Sequence, residues 1–570
     1  MVNESDRHRL ACFSPAFVIL AVLIQLFAVQ TQLTAQDKDD TAEETKPVDP
    51  LLATIHVASW NRVLGDVDYL FEAVDRPEFS EFIRSFLANV RDLKGIDHDK
   101  PFGVLVFFKP GLSLEPEPIG FAPVADFDEL KKTLEAVQAT VSKVDGEDDM
   151  YEIKGRRHNY ARLINGYAYI SENPDALDRD FPDPASRTKK LSEKFDIAAA
   201  INVSEVPIGI RTLFLNFLKA SSETELQQRD EESDGAYRLR KANGDASLEL
   251  IEQLLTHGES VTLGFKLDRD GKGAHVELDV KARPASPFAQ MLTSVGGKRS
   301  HFANVLDADV PFTFSVSWQM GKSAKKVASE LAQAAERGLE EQLKEVPELD
   351  QIKTIFSSVN ATIEEGHVDL FAQFRGEKRQ GFALLAGLKI ERPATFAAGI
   401  LPFLKRMKQD PNIAEVDIAM AQHLGVTFHR IRSTKVRPQD QNLYGNQPSL
   451  YFGSGNDVLW FAIGEKPAFE QLKTLMEAVA VRPDTATLNR KNAPIQLRIN
   501  IGQWLVLVPD DRPRPFADMA KETFKSDNDM LQLDLRPTEN GLKLKFHLQQ
   551  GFVKLLGKSL VRGIERRQGL

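Results

Sequence analysis

The sequence predicts an α+β protein, a tandem duplication of β-α-β-β-α modules whose antiparallel or mixed sheets are backed by helices. Three observations carry that expectation. Apolar residues alternate with period two on both sides of turn residues, helical sequence flanks each such hairpin, and the arrangement recurs four times along the chain.

The chain opens with Arg7, His8 and Arg9, an uncharged stretch from Ala11 to Val29, and a polar run ending Leu33-Thr34-Ala35. This is the order of a secretory signal peptide over residues 1–35, cleaved after Ala35. Leu33 is large for its place before the cut, and the uncharged stretch is just long enough to span a bilayer, so an uncleaved anchor is the alternative. Cys12, the only cysteine, precedes the apolar centre, so the mature chain would hold no disulfide and no cysteine-ligated metal. Residues 36–50 carry six acids against two bases with little to bury, and are expected to be a disordered linker.

The hairpins are plainest near the end. Leu531, Leu533 and Leu535 lead through Asn540-Gly541 into Leu542, Leu544, Phe546 and Leu548. Val261–Leu267, the turn Asp270–Gly273 and Ala274–Val280 repeat the design. Looser copies run over Val104–Phe108 with Ile119–Val124, turning at Lys109-Pro110-Gly111, and over Val368–Phe374 with Phe382–Ile390. Each is followed by a helix with phenylalanine near its first turn: Phe127, Phe288, Phe396 and Phe552. Each is preceded by helical sequence and an opening strand: Thr54–Ser59, Ile197–Val203, Phe312–Ser317 and Leu497–Ile501. The odd copies share Ser59-Trp60 and Ser317-Trp318, and the even ones share Ile201-Asn202-Val203 and Ile499-Asn500-Ile501. Trp60, Trp318 and Trp504 all fall at or just after an opening strand.

A further segment separates the copies within each half. Asn165-Gly166 followed by Tyr167–Pro174 aligns without gaps to Trp460–Pro467, which follows Gly453–Asn456, and both octets enter a helix. The expected halves are therefore 51–297 (modules 51–138 and 195–297, hairpin insert 139–194) and 308–563 (modules 308–408 and 494–563, hairpin insert 409–493).

With 570 residues, 42% hydrophobic and 27% charged, the chain has core enough for three or four domain-sized units. A net charge of −10 argues against a general nucleic-acid binder. His423 and His429 flank a strand-like Leu424–Phe428, too far apart along a strand to share one metal. Asp97-His98-Asp99 reads as a turn between helix and strand. Asp268, Asp270 and Gly271 begin like a calcium loop, but Lys272 and a missing position-twelve glutamate break the pattern. Ser323–Lys326 and Ser186–Lys189 fit S-x-x-K and Ser526-Asp527-Asn528 fits S-D-N, yet no K-T-G completes the penicillin-recognising set. No G-x-S-x-G, P-loop or Rossmann glycine fingerprint occurs.

Lys554, Lys558, Arg562 and Arg566 recur every four residues opposite Phe552, Leu555, Leu556 and Leu560. A solvated helix face with its apolar side in the core is the expectation, and weak contact with an anionic surface is the alternative. The acidic run Glu223–Asp234 and basic run Arg238–Lys241 suggest an exposed connection between helices. Phenylalanine (35) far outnumbers tyrosine (8), which suits a dry core or an apolar ligand cavity.

The stretches GDVDYLFEAVDRPEF, ANVRDLKGIDHDKPFG and IGFAPVADFDELKKTLEAV in the first half resemble a family of uncharacterised exported bacterial proteins. The resemblance implies export and transfers no site residue. The expectation is thus an exported, non-catalytic protein of the periplasm or cell envelope, acting as a structural or interaction scaffold. A carrier or sensor of a lipid-like ligand is the alternative, and an enzyme of unfamiliar type the second. No catalytic, cofactor-binding or metal-ligating residue is assigned. An envelope protein or a lipid is the expected partner, with membrane association only through the N-terminal segment or weakly through the C-terminal basic helix.

Overall fold

The computed structural model describes residues 51–109, 115–230, 232–306, 309–342, 349–377, 381–481, 493–505, 507, 514–525 and 527–568. The expected signal segment (1–35), the acidic linker (36–50) and Ser526 lie outside the described residues.

Helices and antiparallel strands make a mixed α+β fold. The chain begins with β1 (Leu51–Val57), α1 (Trp60–Glu72), α2 (Glu78–Ala88), the hairpin β2 (Phe102–Phe108) and β3 (Pro116–Pro123), and α3 (Phe127–Ala136). After β4 (Thr140–Lys143), β5 (Met150–Lys154), β6 (His158–Ile164), β7 (Tyr167–Ser171) and α4 (Pro184–Ser192), the pattern returns. It runs β8 (Ile197–Ile201), α5 (Ile208–Glu225), α6 (Asp234–His257), β9 (Gly258–Asp268), β10 (Gly273–Ala282) and α7 (Pro287–Ser294). A third run is β11 (Phe312–Gln319), α8 (Lys322–Gln342), α9 (Leu349–Glu365), β12 (His367–Glu377), β13 (Gly381–Lys389) and α10 (Pro393–Met407). Next come β14 (Ile413–His423), β15 (Val426–Ser433), α11 (Pro438–Tyr444), β16 (Ser449–Gly455), β17 (Val458–Gly464) and α12 (Lys466–Ala480). The chain closes with β18 (Ile495–Asn500), α13 (Ile501–Leu505), α14 (Pro515–Thr523), β19 (Met530–Pro537), β20 (Gly541–Gln549) and α15 (Gln550–Gln568).

Several expectations need correction. Two helices, not one, follow each opening strand: α1 and α2, parted at Asp75-Arg76-Pro77, then α5 and α6, α8 and α9, and α13 and α14. Each insert brings four strands rather than a hairpin. In the first insert the helix after Pro174 is a short 3-10 turn, Pro174–Leu177, and α4 starts only at Pro184 with Asp183 as its N-cap. Leu424-Gly425 is a turn with positive φ at both residues, not strand, so His423 ends β14 and His429 lies in β15. Asn165-Gly166 has positive φ at both residues as expected, but the corresponding turn in the second half falls at Asn456-Asp457, with Gly453 and Gly455 inside β16.

Among the described residues twenty strands join one sheet, and every pairing is antiparallel. From one edge the order is β4-β5-β6-β7-β3-β2-β1-β8-β9-β10, then β20-β19-β18-β11-β12-β13-β17-β16-β15-β14. The second sequence of ten repeats the first in reverse, so the connectivity has an internal twofold between β10 and β20. Glu277 faces Lys545 at the middle of that pair.

The two faces of the central strands differ because side chains alternate. Leu278 and Val280 of β10, Leu544 of β20, Leu535 of β19 and Val261 of β9 pack under α7 with Phe288 and Leu292. Leu267 and Ala274 continue this apolar face under α1 and α15, through Leu70 and Val553. On the opposite face two separate cores lie towards the ends of the sheet. One gathers Leu105, Phe107, Ile119, Phe121, Tyr167, Tyr169 and Leu177. The other gathers Phe302, Phe371, Leu385, Trp460 and Ala462 under Phe469, Leu472 and Met476 of α12.

Candidate functional site: a polar trough at the centre of the sheet

Between those two end cores the same face is polar. Cross-strand partners share a face, so the register carries one row of side chains across the sheet. Lys266 faces His275, His275 faces His547, and His547 faces Gln532. The next rows put Gly264, Glu277, Lys545 and Asp534 abreast, then Thr262, Asp279, Lys543 and Arg536. The helices packed on these four strands meet their apolar side, so this floor, about 14 Å across between its outer strands at normal strand spacing, lies on the side away from them.

One wall comes from the chain after α4. The Phe195 ring lies over Gly264, where a Cβ would stand 2.4 Å from it. Lys194 reaches Glu277 across the floor, and Asp196 is held by Arg62 and by the Leu267 amide at 2.6 Å. The other wall is the 3-10 turn Ala303–Val305. Its Val305 carbonyl accepts from Gln373 Nε2 at 2.5 Å, and the Leu306 carbonyl accepts from Arg498 at 3.4 Å.

Lys194, Lys543 and Lys545 converge on the Glu277 carboxylate, the latter two at 3.6 Å. Those lysines and neighbouring hydrogen bonding hold Glu277 below the usual carboxylate range although burial opposes it. Burial, with Lys545 nearby, lowers the His275 pKa, and burial likewise lowers that of His547. Both imidazoles are thereby favoured neutral. Lys266, Lys543, Lys545 and Arg536 of the floor stand among Glu277, Asp279, Asp534 and Asp268, with Lys543 3.8 Å from Asp279 and Arg536 3.4 Å from Asp534. His275, only 9% exposed, has no hydrogen-bond partner at Nδ1 among the described residues, nor have Asp279 Oδ1 and Asp534 Oδ1. Buried polar atoms normally find partners.

A second buried polar group looks catalytic and is built otherwise. Ser317 Oγ lies 3.0 Å from His367 Nε2, with Asp369 two residues further on the same face. Ser317 donates its own proton to the Lys298 carbonyl at 3.1 Å, so the imidazole must give its Nε2 proton to Ser317. That is the reverse of a base activating a nucleophile. Asp369 accepts from Ser300 Oγ at 2.8 Å and from the His301 amide at 2.6 Å. The group therefore fastens residues 298–301, the connection between the halves, to β11 and β12.

The sequence-flagged residues are scattered. Asp97 pairs with Lys100, Asp99 accepts from Asn61, and His98 lies 3.4 Å from the Leu93 carbonyl, so that cluster closes a turn. Asp268 caps the Gly271 amide of its hairpin. Ser323 bonds Glu249 and Lys326 reaches Asp245, while Ser186 bonds the Asp183 carbonyl at the start of α4. His423 faces Glu477 and His429 Nδ1 accepts from the Ala419 amide. Among the described residues no group of three His, Cys, Asp or Glu side chains could hold a metal ion. Arg240 bonds Glu232 and the Glu225 and Gln227 carbonyls, so the acidic and basic runs close the α5–α6 connection on each other.

On α15 the apolar side is corrected. Val553 and Val561 face the core, whereas Leu556 and Leu560 are 46% and 41% exposed. Lys554 and Lys558 line a cavity of about 620 Å³ with Lys272, Asp75, Glu522 and Gln549. A smaller one of about 440 Å³ lies between α5 and α6. Neither is lined by phenylalanine, the lining an apolar-ligand carrier was expected to show. Sequence reasoning missed the trough because its residues come from four strands far apart in the chain. The signal within reach was the polar half of each alternating hairpin: His275, Glu277 and Asp279 against Lys543, Lys545 and His547.

No protein-family model, curated protein or solved structure matches the chain. Among the described residues no helix is long and apolar enough to cross a membrane.

Proposed function

We propose that this chain is an exported, non-catalytic binding scaffold of the cell envelope, whose working surface is the polar trough at the junction of its halves. The observation supporting this reading is the shared floor: β9 and β10 from one half, β20 and β19 from the other, lined by charged and imidazole side chains. A tandem duplication of β-α-α-β-β-α units with four-stranded inserts accounts for the reversed strand order and for the internal sequence matches. Export rests on the N-terminal signal pattern and on the family resemblance of the first half.

The test is to fractionate the source cells and take an intact native mass spectrum of the protein purified in mild detergent. A periplasmic or envelope chain beginning at Gln36, carrying a stoichiometric partner or ligand that Lys543→Gln/Lys545→Gln removes, is the expected outcome. An unprocessed cytoplasmic chain, or a bare chain in every fraction, would overturn the reading.

A further inference from the structure

We propose that the cavity beside α15 binds a phosphate-class oxyanion, through lysines and side-chain amides that the two halves bring together there. The site is separate from the trough, so it is tested independently of the scaffold reading.

The cavity, about 620 Å³, lies where the halves meet. Residues 73–75, just after α1, and the β9–β10 turn come from the first half; the start of α15 and the chain before β19 come from the second. Its cations are Lys272, Lys525, Lys554 and Lys558. Among the described residues only Lys558 has an ion pair, with Glu522 at 3.6 Å, and that carboxylate is 67% exposed. Lys554 and Lys558 stand four residues apart on α15, a like-charge spacing that weakens a helix unless something answers it. Asp75 and Asp527 share the lining but form no ion pair with these lysines, so four cations face three carboxylates with one pair made.

The uncharged polar groups lean the same way. Asn528 Oδ1 accepts from the Lys525 amide at 2.9 Å, and Gln549 Oε1 accepts from the Met530 amide at 2.8 Å. With both oxygens turned to the backbone, each side chain has its NH2 group left to offer, which donates only. Gln550 opens α15 at the same cavity and adds the positive end of a 19-residue helix. Ammonium groups act as point charges, and a phosphate has oxygens enough to meet several of them; a carboxylate's two would leave most of the donors unanswered. No aromatic side chain lines the cavity, so nothing there stacks on a nucleobase. The cavity between α5 and α6 is the contrast: Lys219 pairs with Glu252 at 2.9 Å and Lys241 with Asp245 at 3.2 Å, while Glu223 and Glu249 add further carboxylates. Inorganic phosphate, a soluble phosphate ester and a lipid headgroup share the proposed chemistry, and the volume admits each.

Titration calorimetry on the purified mature chain at constant ionic strength tests the proposal, with inorganic phosphate, glycerol 3-phosphate and acetate as probes. Co-sedimentation with phosphatidylcholine vesicles, with and without phosphatidic acid, supplies the lipid arm. At least one phosphate probe is expected to bind saturably, with acetate at least tenfold weaker. Lys272→Gln/Lys554→Gln should weaken that binding at least tenfold, Lys554→Arg should retain it, and Lys219→Gln/Lys241→Gln in the other cavity should leave it unchanged. Sedimentation that needs both phosphatidic acid and Lys272/Lys554 assigns the lipid headgroup. Saturable binding without sedimentation assigns a soluble source, the ester where it binds more tightly than inorganic phosphate. No saturable phosphate probe, acetate as tight as phosphate, or undiminished binding in the Lys272/Lys554 variant would overturn the proposal. Circular dichroism of each variant separates lost binding from lost folding, and Lys554→Gln alone is read if the double variant does not fold.

Discussion

Asp369 offers the sharpest test of how the two halves are held together. Its side chain is fully buried, and its carboxylate takes two hydrogen bonds from the connection between the halves, at Ser300 and His301. Burial raises its pKa from 3.8 to about 6, outweighing those hydrogen bonds and the attraction of Lys389. Between these values the folded protein holds a proton that the unfolded chain has released. The folded state thus becomes less stable as pH rises from about 4 to 6, and the linkage amounts to about 3 kcal/mol at roughly 1.4 kcal/mol per unit. Asp369→Asn keeps the shape and removes the titration. The stability gap between variant and wild type should therefore move by about 3 kcal/mol in the variant's favour from pH 4 to pH 7. Urea unfolding followed by tryptophan fluorescence at several pH values measures the gap, since Trp460 shares a core with Phe371 on the same face. His367 titrates in the same window in both proteins, so the comparison is repeated in a His367→Gln background. A gap that stays constant with pH, or moves the other way, refutes the buried-carboxylate account.

Other substitutions probe separate parts of the frame. His56 is 1% exposed with neither ring nitrogen partnered among the described residues, and burial lowers its pKa to about 4. Its neutral form supports the fold above pH 6.5, and that support is lost as pH falls towards 4. His56→Met should hence be neutral or stabilising at pH 7 and reduce the acid-induced loss by about 3 kcal/mol, read from urea midpoints at pH 7 and 4.5. Gly264→Ala drives a methyl into the Phe195 ring and should cost about 1–3 kcal/mol, measured by thermal unfolding. Arg62→Met takes the guanidinium from the Asp196 carboxylate, 4% exposed and then held by the Leu267 amide, and should cost about 3–5 kcal/mol in the same assay.

The strands were legible where alternation met a recognisable turn. Val261–Val280 and Leu531–Leu548 fall in β9–β10 and β19–β20 because their apolar halves form one face. The matched residues Ile201 and Ile499 both lie on strands that pair with an opening strand, Ile201 with Ala53 of β1 and Ile499 with Phe312 of β11. The Ser-Trp match did not carry over. Ser59 caps α1 through the Arg62 amide, whereas Ser317 and Trp318 remain inside β11. In a strand a shift of one residue exchanges faces, so a dipeptide match is too short to fix the register. The insert strand Thr140–Lys143 is short and largely exposed, with no apolar face to read. The trough was illegible for a different reason: strand order is decided by pairings between residues some 270 positions apart, as between His275 and His547, and no local pattern encodes them.

The placement of polar residues at the twofold follows from where each half carries its cover. α4 and the chain after it shield the outer strands of the first half, and α12 with the turn Ala303–Val305 shields those of the second. Where β10 meets β20, the described chain reaches the four central strands on that side through Phe195 over Gly264 and Lys194 at Glu277. An apolar floor there would be a large sticky patch; a charged one stays soluble. The charges also discriminate between pairings. In the observed register Glu277 meets Lys545, His275 meets His547 and Asp279 meets Lys543. The same antiparallel register between two copies of β10 would set Glu277 against Glu277, and between two copies of β20 would set Lys545 against Lys545. Like charges directly opposite are destabilising, so the junction favours one first half with one second half over either like pairing. The acid that makes the junction selective is the same Glu277 on which Lys194, Lys543 and Lys545 converge, with Lys543 also 3.8 Å from Asp279.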